Sequence, residues 1–151
     1  MRSGVEGTQA ATPRGLVLDT NIVLDLFVFD DARTVPLLAH IEQGEAQWLA
    51  TPAMREELAR VLGYPHIESK LAYYALQAAD VLARFDRHAQ IVEPAARAPV
   101  TCADADDQKF IDLAVAHQCV LLSKDREVLT LSKRLALFNV LAAPQLAASS
   151  G

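Results

Sequence analysis

The stretch that most constrains this chain is Leu16-Val17-Leu18-Asp19-Thr20-Asn21, an apolar run that ends abruptly in an acid, a hydroxyl and an amide. Gly15 precedes it, and Ile22-Val23-Leu24-Asp25-Leu26-Phe27 follows with the look of a helix. A buried parallel strand reads this way when it delivers a carboxylate to its C-terminal edge. In open α/β sheets that edge is where ligands bind. Leu121-Leu122-Ser123-Lys124-Asp125 repeats the device, a buried strand closing in a hydroxyl and an acid.

The elements between them alternate. After the first strand, Asn21 to Phe27 starts a helix that breaks at Phe29-Asp30-Asp31. Thr34 to Gln43 is a second helix, with Pro36 in its first turn and Gly44 just past its end, where each is favoured. Gln47 to Ala50 is a short strand. Thr51-Pro52 then supplies an N-cap and an N1 proline for a helix that stops near Leu62, ahead of Gly63-Tyr64-Pro65. The alanine-rich segment Glu68 to Phe85 reads as one long helix. Gln90 to Val92 is a minimal strand, and Glu93 to Cys102 a Pro/Ala loop. Asp106 to His117 is a helix and Val120 to Ser123 a strand. Arg126 to Arg134 gives one or two short helical turns, and Leu135 to Leu141 a last strand. Such alternation predicts a three-layer α/β/α fold with a mostly parallel, roughly five-stranded central sheet.

At 151 residues the expectation is a single domain over 15–145, with tails at 1–14 and 146–151. No apolar run is long enough to span a membrane, and residues 1–13 lack the apolar core of a signal peptide, so a cytoplasmic location is expected. The formal net charge of −5 argues against a broadly basic nucleic-acid binder. It leaves room for clustered carboxylates that hold divalent cations and so present a locally neutralised surface. Cys102 and Cys119 fit neither a disulfide framework nor a paired metal motif, and Cys119 beside Val120-Leu121-Leu122 reads as a small core residue.

The acids carry the chemistry. On the helix that starts at Thr51, Met54, Leu58, Val61 and Leu62 form the apolar stripe. At roughly 100° per residue, Glu57 falls at the edge of that stripe. Glu56 lies almost opposite, with Arg60 at the i+4 spacing of a solvated pair. Glu57 is therefore the acid able to face the protein body, although a flanking surface charge would look the same. The densest acidic run is Asp104-Ala105-Asp106-Asp107, with Asp112 further on. Asp104 or Asp106 suffices as an N-cap. Asp107 precedes Phe110, Ile111 and Ala114 by three, four and seven residues, which places it on the buried stripe, while Asp112 points away. Ser123 and Asp125 could by themselves form a turn or cap the next helix. Taken together, two strand ends and two helices each bring an inward acid to one edge of one sheet. Such carboxylates converge only if protonated or matched by cations. Hard divalent ions bind carboxylate oxygens and substrate phosphate, which suits metal-assisted phosphodiester hydrolysis.

Four motifs in order resemble the PIN-domain family, in which many VapC-type toxins and other ribonucleases fall. LVLDTNIVL is similar to its first-strand signature, TPAMREELARVL to its S/T-P-x-x-x-x-E helix, and DADDQKFIDLAVAHQCVLLSKD to its third and fourth acidic motifs; FNVLAAP resembles its last strand. The resemblance implies Asp19, Glu57, Asp107 and Asp125 as catalytic and metal-binding acids. Asn21, Asp104, Asp106 and Ser123 would support them, Asp104 or Asp106 able to substitute for Asp107, and Asn21 able either to fix Asp19 or to start the helix. It further implies Mg²⁺ or Mn²⁺ as cofactor, endoribonuclease activity on RNA, an antitoxin partner and a homodimer. Lys109, Lys124 and Arg126 read as ordinary surface charges, and Trp48 and Tyr73-Tyr74 as core. The competing readings are a degenerate module that binds RNA or protein without cutting, and a structure-specific DNA nuclease.

Overall fold

The computed structural model describes residues 14–146. The tails expected at 1–14 and 146–151 fall almost wholly outside them. Five strands form one sheet in the order β3-β2-β1-β4-β5, every pairing parallel. They are β1 (Arg14–Leu18), β2 (Ala46–Ala50), β3 (Ala89–Ile91), β4 (Val120–Leu122) and β5 (Leu141–Ala143). The chain steps outward from β1 through β2 to β3, then crosses back to β4 and on to β5. Right-handed connections taken in opposite directions lay helices on both faces, giving the three-layer α/β/α arrangement. In chain order these are α1 (Thr20–Phe27), α2 (Val35–Glu42), α3 (Pro52–Leu62), α4 (Pro65–Tyr73), α5 (Ala78–His88), α6 (Gln108–His117), α7 (Arg126–Leu129) and α8 (Ser132–Ala136).

The strand order reverses between β1 and β4, and this reversal creates a crevice beyond their carboxyl ends. Their register is Leu16 opposite Val120, Val17 opposite Leu121 and Leu18 opposite Leu122. The Asp19 N–H continues the ladder onto the Leu122 carbonyl at 2.9 Å, so Asp19 and Ser123 leave the sheet side by side. Leu16, Val17 and Leu18 of β1 and Val120–Leu122 of β4 are buried, which explains the unbroken apolar runs there. Trp48 on β2 is 1% exposed and meets the Phe85 ring edge-on at 5.0 Å, a core role as expected. α3 begins as the sequence dictates: the Thr51 hydroxyl accepts from the Met54 N–H, and Pro52 opens the first turn.

Two elements differ from expectation. The long helix over Glu68 to Phe85 is two helices. α4 starts earlier, at Pro65, and closes with Ala75 in the left-handed region at φ +57° and the Leu76 N–H bonded to the Leu71 carbonyl at 2.8 Å. α5 then restarts because Asp80 accepts from the Gln77 N–H at 2.9 Å. α4 buries Ile67 and Leu71, so Tyr73 and Tyr74 fall off its apolar stripe; both are exposed, not core. The last strand also shifts. Leu135 is fully buried, but as part of α8, and Asn139 at φ +64° turns the chain before β5 begins at Leu141.

Gly15 is required by close approach. A Cβ there would lie 2.6 Å from the Cys119 sulfur, just ahead of β4. Gly15→Ala should therefore destabilise the protein by about 1–3 kcal/mol through overpacking. Adding Cys119→Ala should recover most of that loss in a urea titration. Simple addition of the two single-variant losses would show that the Cys119 sulfur is not the obstacle.

Candidate metal centre

Asp19 is the residue immediately after β1, and its carboxylate is 4% exposed. The Ser123 hydroxyl donates to Asp19 Oδ2 at 2.7 Å and accepts from the Asp125 N–H at 3.0 Å. One fully buried serine at the end of β4 thus fixes the acid of β1 and the loop that carries the acid after β4. That loop is also tied from its far side, because Lys124 pairs with the buried Asp25 of α1 at 2.5 Å. Asp125 accepts from the Glu127 N–H at 2.8 Å as the cap of α7, so the capping role and the site position coexist in one residue.

Asp107 reaches the same place from a 3₁₀ turn (Ala105–Asp107) that leads into α6. Phe110, Ile111 and Ala114 bury the face of α6 on which Asp107 lies, so the apolar stripe pulls its carboxylate inward. Asp104 caps the turn by accepting from the Asp106 N–H at 2.9 Å, and Asp106 is exposed on the rim of the cleft. Of these three acids, Asp107 is the one that joins Asp19 and Asp125. Asp112 is not the surface charge that helix geometry suggested. Its Oδ1 accepts from the Ala98 N–H and from Gln108 Nε2, both at 2.8 Å. Gln108 in turn binds the Val100 carbonyl and the Cys102 N–H, which staples the Pro/Ala loop beneath α6.

Asp19, Asp107 and Asp125 each offer a carboxylate oxygen, and the three oxygens lie within 4.8 Å of one another. No cationic side chain pairs with any of the three among the described residues. The electrostatic consequence is large. Burial, then a hydrogen bond shared with the Asp125 carboxyl and the charges of Asp19 and Asp125, pushes the Asp107 carboxyl up to about 8. Burial also raises Asp19, against the opposing effect of the Ser123 hydrogen bond. Asp107 Oδ2 is buried and has no hydrogen-bond partner. A buried acceptor left unmatched costs about 1–3 kcal/mol or more, so it marks a place for a ligand atom. Three convergent carboxylate oxygens with one orphaned acceptor fit a hard divalent cation, which takes oxygen ligands and supplies the missing charge.

The fourth expected acid, Glu57 on α3, lines the same open cleft of about 200 Å³ but stands outside that trio. Both of its oxygens are engaged: Oε2 by the Thr20 hydroxyl at 2.5 Å, and Oε1 by the Lys109 ammonium. Asn21 lines the cleft and is exposed; Ser123, not Asn21, holds Asp19 in place. Thr20 and Tyr64 are site residues to which sequence reasoning gave no task, and Lys109 and Arg60 are two that it read as surface charges, Lys109 with a contact to RNA phosphate as the alternative. Thr20 sits between two residues that were singled out, yet only the approach of α3 gives its hydroxyl a task. Arg60 makes no ion pair with Glu56 among the described residues; it lines the cleft with Tyr64, one helical turn on.

A family model for the PIN domain matches residues 15–127. The chain belongs to the PIN-domain family, whose members are generally nucleases. None of the curated proteins matches it. Among the described residues no helix is long and apolar enough to cross a membrane.

The raised Asp107 carboxyl has a definite sign in solution. The folded protein keeps a proton on Asp107 up to about pH 8, whereas the unfolded chain releases it near 3.9. Between those values the native state binds more protons, so metal-free stability falls as pH rises. The melting temperature in EDTA should drop between about pH 4 and about pH 8, and Asp107→Asn should flatten that slope. A profile unchanged by Asp107→Asn would show that the carboxylates do not crowd one another.

Proposed function

We propose that this chain is a divalent-metal-dependent endoribonuclease that hydrolyses RNA phosphodiester bonds, with Mg²⁺ or Mn²⁺ held by Asp19, Asp107 and Asp125 and with Glu57 as the fourth acid of the same cleft. The observation that carries this reading is that Asp19, Asp107 and Asp125 each bring a carboxylate oxygen within 4.8 Å of the others, that Asp107 Oδ2 is buried without a hydrogen-bond partner, and that no cationic side chain among the described residues pairs with the three. When bound, the ion supplies Lewis-acid polarisation of phosphate and water and offsets the charge that builds during hydrolysis.

The chain's own residues supply position. Ser123 holds the Asp19 carboxylate and the Asp125 backbone in fixed relation, which preorganises two of the three acids. Thr20 orients Glu57 toward the cleft wall. Arg60 provides a cation on the rim of an otherwise acidic cleft, suited to a substrate phosphate. Tyr64 adds an exposed ring one turn away, suited to stacking on an unpaired base. A phosphate contact beside a stacking ring favours single-stranded RNA over a duplex. The four-motif resemblance supports the finer assignment as the toxin of a toxin–antitoxin pair, with an antitoxin partner, a homodimeric state and a cytoplasmic location.

The test is cleavage of a labelled single-stranded RNA pool with Mn²⁺, Mg²⁺ or EDTA. Cutting should require the metal, and Asp19→Asn should lose at least about a hundredfold in rate, the scale of removing one preorganised charge. Arg60→Ala should weaken RNA binding and its salt dependence while leaving the metal-induced thermal shift intact. Full activity in Asp19→Asn would contradict the assignment. Tight RNA binding without cleavage under any metal would move the chain to a degenerate binding module.

A further inference from the structure

Lys109 is placed where a surface lysine has no reason to be. Its side chain is 26% exposed, and its ammonium donates to Glu57 Oε1 and, at 2.7 Å, to the Asp106 carbonyl oxygen. It also lies over the Phe110 ring, 5.1 Å from the centroid, which holds the stem against α6. A carboxylate oxygen and a backbone carbonyl are the donor types that a hard divalent ion selects. Here an ammonium lies between them. The other Glu57 oxygen accepts from the Thr20 hydroxyl, so each oxygen of this carboxylate already carries a hydrogen bond from the protein, and Glu57 stands outside the three aspartates. The cleft is thus divided: one side gathers three carboxylates around an unmatched acceptor, and the other already carries its own positive charge.

We propose that Lys109 is a built-in counter-cation that occupies the place a second divalent ion would need, so that the site takes one ion, at Asp19, Asp107 and Asp125, and Glu57 is a positioned carboxylate, not a resident metal ligand. The inference rests on the metal-centre reading above and specifies the ion count of that same site. It also assigns Lys109 as a positioning residue. An ammonium bound to Glu57 and to the Asp106 carbonyl ties α3 to the turn that presents Asp107, two elements that the sheet does not join directly.

The experiment counts ions. Mn²⁺ is titrated into the metal-free full chain, with free Mn²⁺ followed by its paramagnetic resonance signal and heats followed by calorimetry. Wild type and Lys109→Arg should each saturate at one ion. Lys109→Met and Lys109→Gln should bind a second ion, doubling Mn²⁺ at saturation, and adding Glu57→Gln to Lys109→Met should return the count to one. Lys109 is not a core residue, so two independent neutral variants guard against a folding artefact, which melting curves would expose. A single ion in both neutral variants, or two ions in wild type, overturns the proposal while leaving the metal centre standing. Absence of any bound ion in wild type would overturn the metal-centre reading and the proposal together, an outcome distinct from the other two.

Discussion

The structure depends on one hydroxyl. Ser123, fully buried at the end of β4, donates to the Asp19 carboxylate and accepts from the Asp125 backbone. The parallel register of β1 and β4 makes this possible, since Leu18 lies opposite Leu122 and the next residue of each strand leaves the sheet at the same level. A slip of one residue would send every side chain of the slipped strand to the opposite face and separate the pair. The apolar run of β1, its tolerance of Cys119 only because position 15 is glycine, and the position of the strand-order reversal therefore serve the same end. They bring acids from distant parts of the chain to one crevice.

Convergence of those acids sets the energetics. Buried carboxylates without counter-ions repel and lose hydration, so at least one must be protonated or a cation must be present. The protein resolves the two halves of its cleft differently. Around Asp19, Asp107 and Asp125 burial and the crowding of carboxyls raise Asp107, and one of its oxygens is buried without a hydrogen-bond partner. Around Glu57 it supplies Lys109 and Thr20. This asymmetry is a property of side-chain placement within a fold shared by a nuclease family.

Much of this was legible in the sequence because burial has a period. The runs before Asp19 and Asp125 read as buried strands, and Asp107 is inward because Phe110, Ile111 and Ala114 set the face of its helix. The stripe of α3 singled out Glu57 over Glu56 but left a flanking surface charge equally open. What escaped was what local pattern does not encode. The alanine-rich stretch favours one helix at every position, and its break rests on a left-handed Ala75 and the Asp80 carboxylate capping Gln77. Leu135 is apolar enough for either a strand or a helix, and tertiary packing selected the helix. Asp112 looked solvent-facing because helix geometry does not reveal a loop folded beneath it. The Lys109–Glu57 contact joins residues 52 positions apart, and the sequence contains no periodicity that would predict it.

The central claim is that Asp19, Asp107 and Asp125 form a divalent-cation centre. Its most direct test is anomalous diffraction from crystals grown with Mn²⁺. An anomalous peak is expected within bonding distance of carboxylate oxygens from all three aspartates. A crystal saturated with Mn²⁺ that shows no peak in this cleft, with the three side chains ordered, would contradict it.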